Sequence, residues 1–193
     1  MYELPTTVPI AGTVYNIRNK ADYRVILDVI ATLEDNTLTN EEKIVIALII
    51  FYECLDSLES VFDTFDNADA VNDALQAMTD FIDCYNDDIG YRAKHKLVDW
   101  VQDEQLIVSA INKVAGTEIR ALEYMHWWTF ISHYISVGEC ALSQVVAIRD
   151  KIARGKKLDE FERRFKRDNP QYFRWKSEQQ EADNLLNEIW NKE

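Results

Sequence analysis

A mainly α-helical fold with a short N-terminal β-hairpin is what this sequence predicts, and three observations predict it. Five glycines and three prolines in 193 residues leave few sites for the tight turns of a β-rich protein. From residue 22 onward, apolar side chains recur at spacings of three, four and seven, the period of one helix face. Before residue 22 the pattern differs. Val8, Ile10, Val14, Tyr15 and Ile17 are strand formers placed around Gly12, which supplies a turn. At 47% hydrophobic residues the chain is not disordered and has the material for a substantial core.

Each element follows in order. Val8-Pro9-Ile10-Ala11-Gly12-Thr13-Val14-Tyr15-Asn16-Ile17 reads as the hairpin. Ala-Gly is a weaker two-residue turn than Asn-Gly, because alanine disfavours positive φ. Tyr23, Ile26, Leu27, Ile30 and Leu33 then define an amphipathic helix that stops near Asn36. Thr39 and Glu42 have the spacing of a capping box and start the next helix. That helix is apolar nearly all round from Ile44 to Phe51, which predicts a buried central position. Val71, Leu75, Met78, Phe81 and Ile82 form the inward face of a helix over 68–84, and residues 86–90 a break.

Leu97, Trp100, Val101, Leu106, Ile107 and Ile111 mark a further helix, with Gly116 as its C-cap. The next carries two adjacent tryptophans and runs to about Gly138. At helical spacing Tyr124, Trp127, Trp128, Ile131, Tyr134 and Ile135 share one face, and His126, Thr129, Ser132 and His133 the other. Ala141, Val145, Val146 and Ile148 continue the core to about residue 155. Beyond it the composition turns basic, Pro170 interrupts, and Ala182, Leu185, Leu186, Ile189 and Trp190 make a last amphipathic helix. The predicted organisation is a helical domain with its hairpin over 1–150, then a basic segment and C-terminal helix over 151–193.

The net charge of −13 is segregated. Residues 44–91 hold eleven acids and no Lys or Arg, whereas residues 151–176 hold ten basic residues against four acids. The first 150 residues together carry −15. Such a body repels nucleic acid and anionic membranes at long range, so neither is expected as a partner. The longest apolar run, 44–52, is nine residues, well short of the ~20 of a membrane span. The aromatic and basic residues of 151–176 have a second reading as a stacking surface for single-stranded nucleic acid. A basic segment meeting the acidic body of a neighbouring copy accounts for both charges at once, so self-association is expected. Glu3 and Pro5 do not fit a basic-then-apolar leader. Cys54, Cys84 and Cys140 are widely spaced and read as reduced thiols of a cytosolic protein.

Candidates for chemistry are few. His126 and His133 lie seven apart, roughly 10 Å along a helix axis, too far to share one metal. Asp99 and Asp103, at i and i+4, could hold a hard cation or act as an acid/base pair; an enzymatic reading rests on them. No phosphate-binding loop, dinucleotide fingerprint, nucleophile elbow or zincin motif is present. The sequence therefore points to no catalytic residue, cofactor or metal, and to function through protein contacts. Adjacent tryptophans are costly to leave wet. Trp100, Trp127, Trp128, Phe130 and Arg149 are the candidate partner-binding residues, with a buried structural cluster as the competing reading.

Several segments, in order, resemble one family. Ile10-Ala11-Gly12-Thr13-Val14-Tyr15-Asn16-Ile17 followed by Asp22-Tyr23-Arg24-Val25-Ile26-Leu27 resembles the opening hairpin and helix of the tail assembly chaperones of long-tailed bacteriophages. Leu38-Thr39-Asn40-Glu41-Glu42-Lys43, Phe51-Tyr52, Asp80-Phe81-Ile82, Asp99-Trp100-Val101-Gln102-Asp103, Met125-His126-Trp127-Trp128-Thr129-Phe130 and Ile148-Arg149 continue the match. The likeness spans roughly residues 5–160, and His-Trp-Trp-x-Phe is its most specific part. It is to small proteins encoded in the tail-gene cluster of phages of Gram-positive hosts. The resemblance implies a non-enzymatic morphogenesis factor of the host cytoplasm, absent from the finished virion. Its implied partner is the tape measure protein, kept soluble until the tail tube polymerises around it. A structural or regulatory phage adaptor that stays in its complex is the alternative.

Overall fold

Val8 and Ile10, alternate residues of one strand, set the first packing decision: both are buried while Val14 on the facing strand stays exposed. The computed structural model describes residues 3–85 and 95–175. Among them run strands β1 (Thr7–Ile10) and β2 (Thr13–Asn16), then α1 (Tyr23–Glu34), α2 (Asn40–Phe51), α3 (Leu58–Thr64) and α4 (Ala68–Ile82). These are followed by α5 (Glu104–Ala115), α6 (Trp127–Ile135), α7 (Ala141–Ala153) and α8 (Glu160–Asp168). The fold is mainly α with one two-stranded antiparallel hairpin, as expected. The C-terminal helix expected over 182–190 and the break expected over 86–90 lie outside the described residues.

The chain divides into two compact units, Met1–Arg92 with Ala115–Ser136, and Ala93–Val114 with Val137–Glu193. The second unit thus draws on residues from both sides of residue 150.

In the first unit the hairpin pairs Val8 with Tyr15 and Pro9 with Val14 around Ala11-Gly12. Both turn residues have positive φ, +47° and +85°, the requirement that makes alanine a poor choice at the first. β1 lies against α4, and α1 packs along α2. Asp22 caps α1, and Thr39 with Glu42 forms the expected capping box on α2. α2 buries only Ala47, Leu48 and Phe51, so the helix read as wholly buried has one sealed side; Ile46 is exposed. Two of the orphan carbonyls at its end, and two carbonyls just beyond it, are taken up by one side chain. The Arg18 guanidinium donates to the carbonyls of Ile49 (2.9 Å), Ile50 (3.1 Å), Tyr52 (2.9 Å) and Leu55 (2.5 Å). Behind that cap, Tyr52, Phe51, Phe65, Tyr15 and Phe81 form an aromatic core of edge-on and tilted rings. The Tyr52 hydroxyl, buried there, donates to the Ala74 carbonyl at 2.7 Å.

α3 was not foreseen. Ser57 caps it by accepting from the Ser60 N–H, a signal present in the sequence but carried by only seven helical residues.

In the second unit, α5 begins at Glu104, not near Leu97 as periodicity suggested. Residues 99–103 form a turn instead, in which the Asp99 carboxylate accepts from the N–H groups of Val101 and Gln102. Asp99 is the kind of residue that offers the backbone this alternative to a helix. Val101, expected in the core, is 66% exposed. α7 buries Leu142, Val145, Ile148 and Arg149, and α8 buries none of its residues.

Candidate functional site

The His126-Trp127-Trp128-x-Phe130 motif starts from a strained turn. Asn19, Lys20 and Ala21 all have positive φ, between +49° and +61°. Three successive non-glycine residues in that region cost about 1–2 kcal/mol each. What holds them is a short antiparallel pairing with the segment before α6. Ala21 accepts from the Trp127 N–H at 2.8 Å, and Tyr23 donates to the Met125 carbonyl at 2.9 Å. The Asp22 carboxylate accepts from the Met125 N–H at 3.0 Å, and the Tyr124 hydroxyl donates to the Lys20 carbonyl at 2.8 Å. Arg24 completes the junction, binding both Asp22 oxygens and donating to the Leu122 carbonyl.

His126 is therefore not on an outer polar face. It is the buried N-cap of α6, and its Nδ1 accepts from the Trp128 N–H at 3.0 Å. With Nδ1 accepting, the proton sits on Nε2, which donates to the Pro5 carbonyl at 2.8 Å. Burial pushes this imidazole below its ordinary pKa, against a smaller opposing pull from the Pro5 carbonyl.

The two tryptophans finish a different helix. Trp127 Nε1–H donates to the Ile82 carbonyl (2.9 Å) and Trp128 Nε1–H to the Phe81 carbonyl (3.1 Å), two of the orphan acceptors at the end of α4. Trp127 is 1% exposed and stacks on Phe130 at 5.6 Å, and Phe130 stacks on Tyr23 at 4.7 Å. Trp128 stacks on Phe81 and meets Tyr85 edge-on. The face read from spacing is thus rotated: Trp127 and Phe130 point inward, while Ile135 and Tyr124 are exposed. Because α6 starts at Trp127, Tyr124 precedes the helix and does not share its phase.

Arg149 and Trp100 belong to the second unit. Arg149, 5% exposed, reaches the fully buried Asp103 with both terminal nitrogens, at 2.5 and 2.9 Å. It also donates to the carbonyls of Leu97 (2.9 Å) and Tyr172 (2.8 Å), and Trp175 lies over its guanidinium at 4.3 Å. One side chain thereby ties α7, the turn before α5 and the segment after α8 together. Gln102 repeats the tie by donating to the carbonyls of Gln171 and Arg174. Trp100 is half-buried in the same turn.

The acid pair is also placed. Asp103 is held by Arg149 and by the Asp99 N–H. Asp99 is held by its own turn and by Lys96. Burial alone would raise the Asp99 pKa, but the Gln102 N–H and Lys96 hold it below the usual range. Among the described residues no cluster of three or more His, Cys, Asp or Glu could hold a metal, and no helix is long and apolar enough to cross a membrane. The cysteines are free, and burial pushes the Cys84 thiol up to about 11.

What sequence reasoning missed lies on the surface. Leu58 and Phe62 of α3 are each more than half exposed; Phe161 of α8, already among the aromatics read as a stacking surface, is exposed as well. The available signal was a pair of apolar residues at i and i+4 set among acids.

Residues 1–172 match the family described as Bacteriophage Gp15 protein. No curated protein and no solved structure matches the chain.

Proposed function

Because the chain belongs to the Bacteriophage Gp15 protein family, and so is a bacteriophage protein, we propose that it is a non-enzymatic tail assembly chaperone that binds the tape measure protein. The observation that carries this reading is the family membership over residues 1–172, joined to the likeness of its motifs to tail-cluster chaperones. The physics is consistent with it. A tape measure protein exposes long apolar stripes before the tube forms. Apolar side chains set among acids, as on α3, cover such stripes while the acids keep the complex dispersed. In this reading Trp127, Phe130 and Arg149 act from within: the first two fix α6 against α4 and α1, and Arg149 holds α7 to the turn before α5. Host cytoplasm is the proposed site of action, before the virion is complete.

The test is co-expression with the tape measure protein of the same phage, followed by a solubility and pull-down assay. A soluble tape measure protein that co-purifies with many copies of this chain supports the proposal. An insoluble one that captures nothing refutes it. Presence of the chain in purified virions would favour the adaptor reading instead.

A further inference from the structure

We propose that the chain associates head to tail with copies of itself by seating α8 of one copy on α3 of the next. The inference rests on charge and exposure alone, and it stands whether or not the tape measure protein is the client.

On α3, Val61 points into the core while Leu58 and Phe62, four residues apart, are 55% and 57% exposed on the opposite side. Glu59 and Asp63 lie beside them at the same spacing, and Asp69 and Asp73 follow on α4. Among the described residues no Lys or Arg pairs with any of these four carboxylates. Residues 53–83 hold nine acids and no Lys or Arg. α3 therefore offers an apolar ridge inside a field of unpaired negative charge.

α8 is the complement. Phe161 is 55% exposed on a helix that buries none of its residues. Arg163, Arg164 and Arg167 line a surface cavity with it, together with Glu160, while Glu162 is paired with Lys151; Lys156 and Lys157 precede the helix. Arg164 and Lys166 have no acidic partner among the described residues. An exposed Phe among cations matches an exposed Leu-Phe pair among anions in both apolar and charged character. A second copy of the chain carries both halves, which singles it out as the occupant. Seated head to tail, the contact is heterologous and each copy keeps one free face. Two short helices bury little area, so the contact is weak and screened by salt.

The test uses the full chain in sedimentation velocity over a range of concentrations, at about 50 mM and about 500 mM salt. The expected result is a mass that grows with concentration at low salt and falls back to the monomer at high salt. Glu59→Lys with Asp63→Lys should remain monomeric, and so should Arg163→Glu with Arg164→Glu, each with unchanged circular dichroism. Mixing the two should restore growth with concentration, because one contact is native and the other is charge-reversed on both sides. The fourfold variant should associate again. Phe62→Ser, which adds no charge, should also lose association. A parent chain monomeric at every concentration, either charge variant associating like the parent, or a mixture that stays monomeric would each overturn the proposal.

Discussion

Removing Arg149 tests the centre of the second unit. Replacing it with methionine keeps most of the stem but leaves Asp103, 1% exposed, as a buried carboxylate with only the Asp99 N–H for company. Breaking a buried ion pair from one side costs about 3–5 kcal/mol, because the remaining charge is uncompensated. The Leu97 and Tyr172 carbonyls lose their donor as well, at about 1 kcal/mol each where water cannot replace it. Arg149→Met should therefore lower stability by roughly 4 kcal/mol or more. Asp103→Leu should cost a similar amount by stranding the guanidinium. The double variant should recover much of the loss, since an apolar pair has no charge left to desolvate. Urea unfolding followed by tryptophan fluorescence measures all three, and Trp175 over the guanidinium places a reporter at the site. If both single variants cost under about 1 kcal/mol, or the double variant is additive, the pair does not hold this unit together.

Other outcomes follow from the first unit. Trp127→Ala should cost about 3–5 kcal/mol and show as loss of cooperative unfolding, whereas a partner-binding residue would leave folding intact. Trp127→Phe, which keeps a ring but leaves the Ile82 carbonyl only the weak Cys84 thiol as donor, should cost about 1–3 kcal/mol by the same assay. His126 has a folded pKa below its unfolded value of about 6.5, so the unfolded state binds the proton first. Stability should be full above that pH and decline as pH falls through it; His126→Asn, a cap that does not titrate, should flatten this part of a thermal melt series, and an unchanged slope would contradict the assigned cap. Ala11→Asn should stabilise the hairpin by about 0.5–1 kcal/mol, since asparagine tolerates the positive φ that alanine adopts there, and a lower melting temperature would refute it.

Features set by neighbours in sequence were legible in it. The hairpin, the Thr39–Glu42 box, the helix over Ala68–Ile82 and the Gly116 cap at φ +70° each depend on residues a few positions apart. What periodicity could not see was long-range hydrogen bonding. Spacing alone treats His126 as a helical position of α6, whereas it is the cap, and the indole bonds to Phe81 and Ile82 that orient the helix reach 47 and 45 residues back. Asp103 and Arg149 were each singled out, but in different roles; their pairing spans 46 residues and has no local trace beyond an arginine on the apolar face of α7. The helix expected from residue 97 yielded to the Asp99 turn, where side-chain acceptance from Val101 and Gln102 outweighed the spacing of Leu97, Trp100 and Val101. The five candidate residues consequently divide between the two units, Trp127, Trp128 and Phe130 in one and Trp100 and Arg149 in the other.

The most direct measurement of the chaperone reading is the number of copies bound to tape measure proteins of different length. The tape measure protein of the same phage would be co-expressed whole and as a half-length truncation, and the mass of each purified complex determined. A coat predicts that the bound copies fall in proportion to the length removed. A fixed number on both lengths would contradict it and indicate an adaptor bound at one place.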